Sequence, residues 1–418
     1  MPTGNAAPED TVHTRLIALR DVIDSDVRAW QDLAEKAAEP NVYLDPRFLV
    51  PARDRGDEAA DLRLVVVTQG GEWLAVLAVT TKAVAPHVPV RAATTGGTFM
   101  TTHSDRHHPL VRAGREVEAL DALLHGLRPA GLPGLVQLQY FPADGPLADA
   151  LAEVVRRGSM LVHERCRVES AYATRAGAQV DRRTEPADGP IADPPLAWGH
   201  MGAGRAKDFR RRVRVLAREA GGPLELHDVS ADPGAEDEFV ALQAAGWKGD
   251  AGLGGAALAL DPLAQRWFRE VVAGFRRDGD ALALRLTAGG RTLFMSYGFR
   301  SGGSYFGFLD TFAEEFRKYS PGAVGRLAET AHVFAATDAG AVDPAFDARY
   351  VTGTQLYPDR RTYADLLVST RGLVARTAVR AAPVAQRFGL GARSLVAPLV
   401  PGCADGFEQL AVLGYAVA

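Results

Sequence analysis

From Asp26 to Ala38 the chain places Trp30, Leu33 and Ala37 on one helical face, and Pro40-Asn41 closes the run. The pattern then changes to two strand-like runs, Leu62 to Thr68 and Trp73 to Thr80. They flank Gln69-Gly70-Gly71-Glu72, a hairpin signature. A helix is predicted at 116–127, a strand at 135–140, a helix at 146–157 and a strand at 167–174. Thr184 to Pro195 holds four prolines and few large apolar residues and reads as a linker. Beyond it the pattern predicts a helix at 205–220 ended by Gly221-Gly222, a strand at 224–229, and helices at 236–245 and 262–276. Strands at 281–287, 291–300 and 305–311 follow, joined by glycine-rich turns, then a helix at 320–336 and a short strand at 345–348. Each half therefore reads as helix, antiparallel strands, helix, strand. The expectation is an α/β (mixed α+β) fold, with two mostly antiparallel mixed sheets flanked by helices. The expected domains are 1–195, 196–368 and a basic helical tail, 369–418.

Composition narrows the class. A chain of 418 residues, 47% hydrophobic and 23% charged, has apolar material for two ordinary cores. Its 47 Lys and Arg against 51 Asp and Glu give a net charge of -4, which excludes a globally basic nucleic-acid binder. Two distant cysteines, Cys166 and Cys403, make neither a disulfide framework nor a CxxC metal pair. The N-terminus has no signal-peptide pattern, and no run approaches eighteen apolar residues. A cytoplasmic location is the expectation. His103 and His107 have a metal-compatible spacing, but they fall in a polar stretch with no third ligand, so no metal is expected. There is no GxSxG, HExxH, P-loop or dinucleotide glycine fingerprint.

Three segments can carry chemistry. A strand ending at Asp310 leads through Arg317-Lys318-Tyr319 into Ser320-Pro321-Gly322-Ala323, with Ser320 as N-cap and Pro321 at the first helical position. Such a helix start offers backbone N–H groups and a positive dipole end to a phosphate, although a merely well-capped helix has the same pattern. Between glycines, Trp247 and Lys248 can form an aromatic wall and a cation for a ligand, or simply a packed loop. In the helix from Arg205, the cations Lys207, Arg211, Arg214 and Arg218 share one face, opposite a stripe of Phe209, Val213, Leu216 and Ala220. That face suits phosphates or an anionic acceptor; the plain alternative is a solvated surface.

Taken in order, these segments resemble the CelD-like (BioF2-like) acetyltransferase family of the GNAT superfamily. The likeness rests on Lys207-Asp208-Phe209-Arg210-Arg211-Arg212-Val213-Arg214 and Gly246-Trp247-Lys248-Gly249. Asp310 with Ser320-Pro321-Gly322 ten residues on, then Phe346-Asp347, Gly353 and Tyr357, complete it. Asn41-Val42-Tyr43-Leu44-Asp45-Pro46-Arg47-Phe48 is similar to that family's N-terminal entry. The resemblance implies tandem GNAT-like domains and transfer of an acyl group from acetyl-CoA or another acyl-CoA. The acceptor would be an amine or hydroxyl of a sugar, polysaccharide or small metabolite. It assigns the CoA pyrophosphate to Lys318, Ser320, Gly322 and Ala323, and the acceptor to Trp247, Lys248, Arg211, Arg214 and Asp347. Acyl transfer needs a base, for which Asp310 is the candidate, and Tyr319 can protonate the departing thiolate.

Two other functions fit the same pattern. A FemABX-like transferase would take an aminoacyl group from tRNA, with the basic helix on RNA phosphates. A non-catalytic binding protein would keep only the fold. From Leu366 to Gly402 the chain has five arginines and no acidic residue, so the tail can lie on an anionic membrane surface or pack over the second half.

Overall fold

The computed structural model describes residues 11–84, 90–158, 160–178, 189–191, 200–346, 353 and 355–387. The chain divides into two compact units. One runs to Val168 and resumes at Thr362; the other spans Glu169–Arg361. The division does not follow the proline-rich stretch. Within that stretch Gly189–Pro190 pair with a strand of the second unit, and Ile191 N–H donates to Leu224 O at 3.0 Å.

In the first unit the strands are β1 (His13–Ala18), β2 (Arg63–Gln69), β3 (Glu72–Ala83), β4 (Arg91–Thr94), β5 (Leu110–Val111) and β6 (Leu135–Pro142). Helices α1 (Asp24–Glu35), α2 (Pro46–Leu49), α3 (Thr98–His103), α4 (Glu116–Gly126) and α5 (Pro146–Arg157) accompany them. β1, β2, β3 and β4 pair antiparallel in that order, and β4 pairs parallel with β6. The next strand of this sheet comes from far along the chain: Asp359–Ser369 lies antiparallel to β6. Leu366 and Leu367, read from sequence as the start of a tail, therefore belong to a strand. Helix Leu373–Arg387 continues from it and buries Ala375 and Val379 against Ala92, Leu135 and Leu367 of this first unit, not over the second. The N-terminal entry segment is a capping device. The Asn41 and Asp45 side chains accept from Tyr43 N–H and Arg47 N–H. Trp30 Nε1–H donates to Leu44 O at 2.8 Å. His103 pairs with Glu58 at 2.7 Å and His107 bonds backbone carbonyls, so each has a local partner of its own.

The second unit contains β7 (Leu161–Thr174, entering from the first), α6 (Arg175–Ala178), β8 (Gly189–Pro190), α7 (Ala203–Ala220), β9 (Glu225–Asp228) and α8 (Ala235–Ala245). Then come α9 (Pro262–Arg277), β10 (Ala281–Ala288), β11 (Arg291–Ser301), β12 (Ser304–Phe312), α10 (Pro321–Ala336) and β13 (Ala341–Asp343). β8 through β12 form an antiparallel ladder; β13 pairs parallel with β12 and antiparallel with the end of β7. A short strand forms at Ala341–Asp343, where pairing with β12 ends; of the strand expected at 345–348, residues 345 and 346 are irregular and 347–348 lie outside the described residues. α7 buries the stripe Phe209, Val213, Leu216 and Ala220 as its periodicity requires. α10 is buried along almost its whole length, packed on β11 and β12. No helix among the described residues is long and apolar enough to cross a membrane.

At Gly325, α10 lies tight against Phe294 of β11. A Cβ there would sit 2.2 Å from Phe294 Cδ1. Gly325→Ala is expected to destabilise the protein by about 1–3 kcal/mol through overpacking, read as a lowered denaturant midpoint.

Candidate functional site

β12 pairs with β13 only over Ser304–Phe306. At that point the β11–β12 register slips, with Tyr297 opposite Leu309 but Gly298 opposite Gly307, so Phe308 is an extra residue. A bulge bends its strand and re-aims the residues that follow. Beyond Phe306, β12 and the chain after β13 therefore flank a narrow polar cavity of about 20 Å³, room for about one water. Its lining includes Gly307 to Asp310 from β12, Arg326 and Glu329 from α10, Pro344 and Phe346 past β13, and Tyr357.

The polar groups are set against one another. The Arg326 guanidinium donates to the Asp310 carboxylate and stacks 4.6 Å from the Phe346 ring centroid. Lys248 Nζ donates to the Asp310 carbonyl oxygen at 3.1 Å. Burial works against the Asp310 carboxylate, but Arg326 and Lys248 outweigh it and hold its pKa below the ordinary value. Burial lowers the pKa of Lys248, with the Asp310 charge opposing. Glu329, one turn along α10 from Arg326, is only 7% exposed, and Tyr305 Oη–H donates to it at 2.6 Å. Burial, helped by the Asp310 charge, pushes Glu329 up to about 7. Burial likewise raises the Tyr357 hydroxyl, which stays protonated at neutral pH.

The start of α10 lies beside the basic helix. Ser320 sits at the cap position in the left-handed region (φ 60°, ψ 48°). It does not cap with its side chain, as the sequence suggested. Its Oγ instead accepts from Arg212 Nη1 at 2.7 Å, so the N–H groups of Gly322 and Ala323 gain no cap from Ser320. Gly322 is small for Phe312, which a Cβ there would meet at 3.3 Å. The Tyr319 hydroxyl donates to Glu219 of α7 at 2.9 Å, and Lys318 Nζ lies 4.7 Å from the Tyr319 ring centroid. Tyr319 does not line the cavity.

Of the sequence candidates, the structure thus brings Lys248 to Asp310, and Ser320, Gly322 and Ala323 to one helix start. Arg211 and Arg214 are exposed, and Arg211 pairs with Asp208; Arg212 is the α7 arginine that reaches Ser320. Trp247 is half-buried in a short turn outside the cavity lining. Asp347 lies outside the described residues. Sequence reasoning missed Glu329, Arg326 and Tyr305. A Glu and an Arg three apart, inside the mostly apolar run from Pro321 to Phe334, were the available signal.

Residues 203–337 match the profile of an acetyltransferase (GNAT) domain. No curated protein matches the chain by sequence. Among solved structures, FemX is similar with a TM-score of 0.50 at 12% identity, over 82% of this chain and 95% of that chain. A conserved protein of unknown function from Bacteroides thetaiotaomicron gives 0.48 at 10%, over 83% and 98%. A tandem GNAT protein from the clavulanic acid biosynthesis pathway gives 0.41 at 15%, over 87% and 100%. At 12% identity the FemX likeness is one of fold alone. The match places an acetyltransferase (GNAT) domain at residues 203–337, the stretch from α7 to the end of α10 that holds the β12–α10 turn.

Proposed function

We propose that the second unit transfers an acyl group from an acyl-CoA thioester to an amine or hydroxyl, with Glu329 rather than Asp310 as the proton acceptor. The observation that carries this is the pairing of opposite environments. Asp310 is locked to Arg326 and held ionised, a weak base, whereas Glu329 is buried and poised near neutrality. The acceptor's lone pair attacks the thioester carbonyl carbon. Its proton passes to Glu329, the C–S bond breaks, and the thiolate leaves to be protonated. Glu329 then returns its proton to that thiolate; the Tyr357 hydroxyl, its pKa raised by burial, is too weak an acid for this, and Tyr319 is engaged by Glu219. Arg212 with the Gly322 and Ala323 N–H groups receives the CoA phosphates. The motif order supports the CelD-like branch, and the sparse, distant cysteines suit a cytoplasmic location.

Two measurements test the donor. An acyl-CoA at 100 times its dissociation constant should stabilise the protein by about 2.7 kcal/mol in thermal unfolding. Arg212→Ala should weaken that donor about tenfold, the worth of one charge-assisted hydrogen bond, while Arg211→Ala leaves it unchanged. Stabilisation by aminoacyl-tRNA alone, with a steep salt slope, would replace acyl-CoA as the donor.

A further inference from the structure

A second and larger cleft, about 420 Å³, opens in the same unit. It is lined by His200, Met201, Gly202, Arg205, Gln355, Tyr357, Pro358 and Arg360. Tyr357 belongs to both linings, so one side chain is the wall between this cleft and the cavity that holds Glu329. The charged side chains among its lining residues are the guanidinium groups of Arg205 and Arg360. Arg205 is held by Gln355, through its backbone and side-chain oxygens, and Arg360 by the carbonyls of Tyr357 and Asp359. These partners are neutral acceptors, and neither guanidinium forms an ion pair among the described residues. Other arginines of this unit differ: exposed Arg211, Arg218 and Arg317 and half-buried Arg269 and Arg300 all pair with a carboxylate. The nearest acid in sequence, Asp359, is spent on Thr174, whose N–H and hydroxyl it accepts.

We propose that this cleft is the acceptor site and that the acceptor carries an anionic group, a carboxylate or a phosphate, held between Arg205 and Arg360. This rests on the proton-acceptor reading of Glu329. Two guanidinium groups fixed by neutral carbonyls keep N–H donors and a full charge for a ligand, the arrangement that recognises a carboxylate or phosphate. Each is pre-oriented by its carbonyl partners, so less side-chain entropy is lost on binding. Anchored there, the acceptor's amine or hydroxyl reaches past Tyr357 toward Glu329. The anion sets specificity, and the buried carboxylate takes the proton.

The test uses inorganic phosphate and acetate as separate probes on the full chain, at fixed ionic strength, read as saturable thermal stabilisation. At least one of them should stabilise the wild type, and which one does identifies the anion. The apparent Kd of that probe should rise about tenfold or more in Arg205→Ala/Arg360→Ala. It should be largely kept in Arg205→Lys/Arg360→Lys, which controls for loss of structure, and fully kept in Arg212→Ala, which removes the donor-side cation. No saturable effect of either anion on the wild type overturns the proposal. So does an equal effect on the double alanine variant, or loss only in Arg212→Ala. Binding of acetyl-CoA is measured in parallel. If it fails in the wild type while the anion response follows the arginines, the donor reading falls and the anion site stands.

Discussion

Glu329→Gln is expected to lower kcat about 10²- to 10⁴-fold while leaving donor binding nearly intact, the range lost when a positioned general base is removed. The amide oxygen still accepts from Tyr305, so the hydrogen bond survives and only the proton acceptor is lost. In the wild type, activity should rise with pH through an apparent pKa near 7 as Glu329 ionises. The same group has a stability signature. Its folded pKa lies above the ordinary carboxylate value, so the folded state binds the proton more tightly than the unfolded one. That contribution is fully present at low pH and is lost as pH rises from the ordinary carboxylate range through about 7. Above pH 7 the variant should therefore be more stable than the wild type, by on the order of 3 kcal/mol, and its stability should vary less with pH. Denaturant melts at pH 5 and pH 8 read this. Unchanged kcat in Glu329→Gln removes the residue from the chemistry.

Arg326→Met should be among the most destabilising single substitutions in the second unit. It strips Asp310 of its ion pair and leaves a carboxylate whose side chain is only 18% exposed. Breaking a buried pair from one side costs about 3–5 kcal/mol, because the remaining charge stays desolvated. Arg326 also stacks on Phe346, so some packing is lost as well. The sign with pH is definite. In the wild type Asp310 has a depressed pKa, and its contribution is present above the ordinary carboxylate range and lost as pH falls through that depressed value. Without Arg326, the Lys248 charge alone opposes burial, so the Asp310 pKa rises from its depressed value and the penalty is larger at neutral pH than in acid. Adding Asp310→Asn should recover much of the loss at pH 7 and little at low pH. Equal melts for single and double variants at pH 7 would count against an uncompensated charge as the cause.

Much of the second unit is written locally. The stripe on α7 repeats at helical spacing, and α7 buries that face. β10, β11 and β12 are strand-forming runs punctuated by Gly289-Gly290 and Gly302-Gly303, so each turn is encoded where it occurs. Pro321 and the apolar run behind it fix the start of α10. All of these depend on neighbours a few residues away. What the sequence could not supply depends on residues far apart. A glutamate in a helix ordinarily reads as solvated. Glu329 becomes a near-neutral acid only because α10 is buried against β11 and β12 and because Tyr305 and Tyr357 close around it. Asp310 looked like the base because it ends a strand beside a helix start. Arg326, sixteen residues on, pairs with it and holds its pKa down, which is why we propose Glu329 for that role instead. The same holds for the domain division. Asp359–Ser369 has the composition of an ordinary strand, but the pairing of its Tyr363–Ser369 part with β6, more than two hundred residues earlier, puts the chain from Thr362 in the first unit. Periodicity reports which face of an element is buried, whereas the partner that buries it, and the charge that meets it there, are decided by tertiary contact.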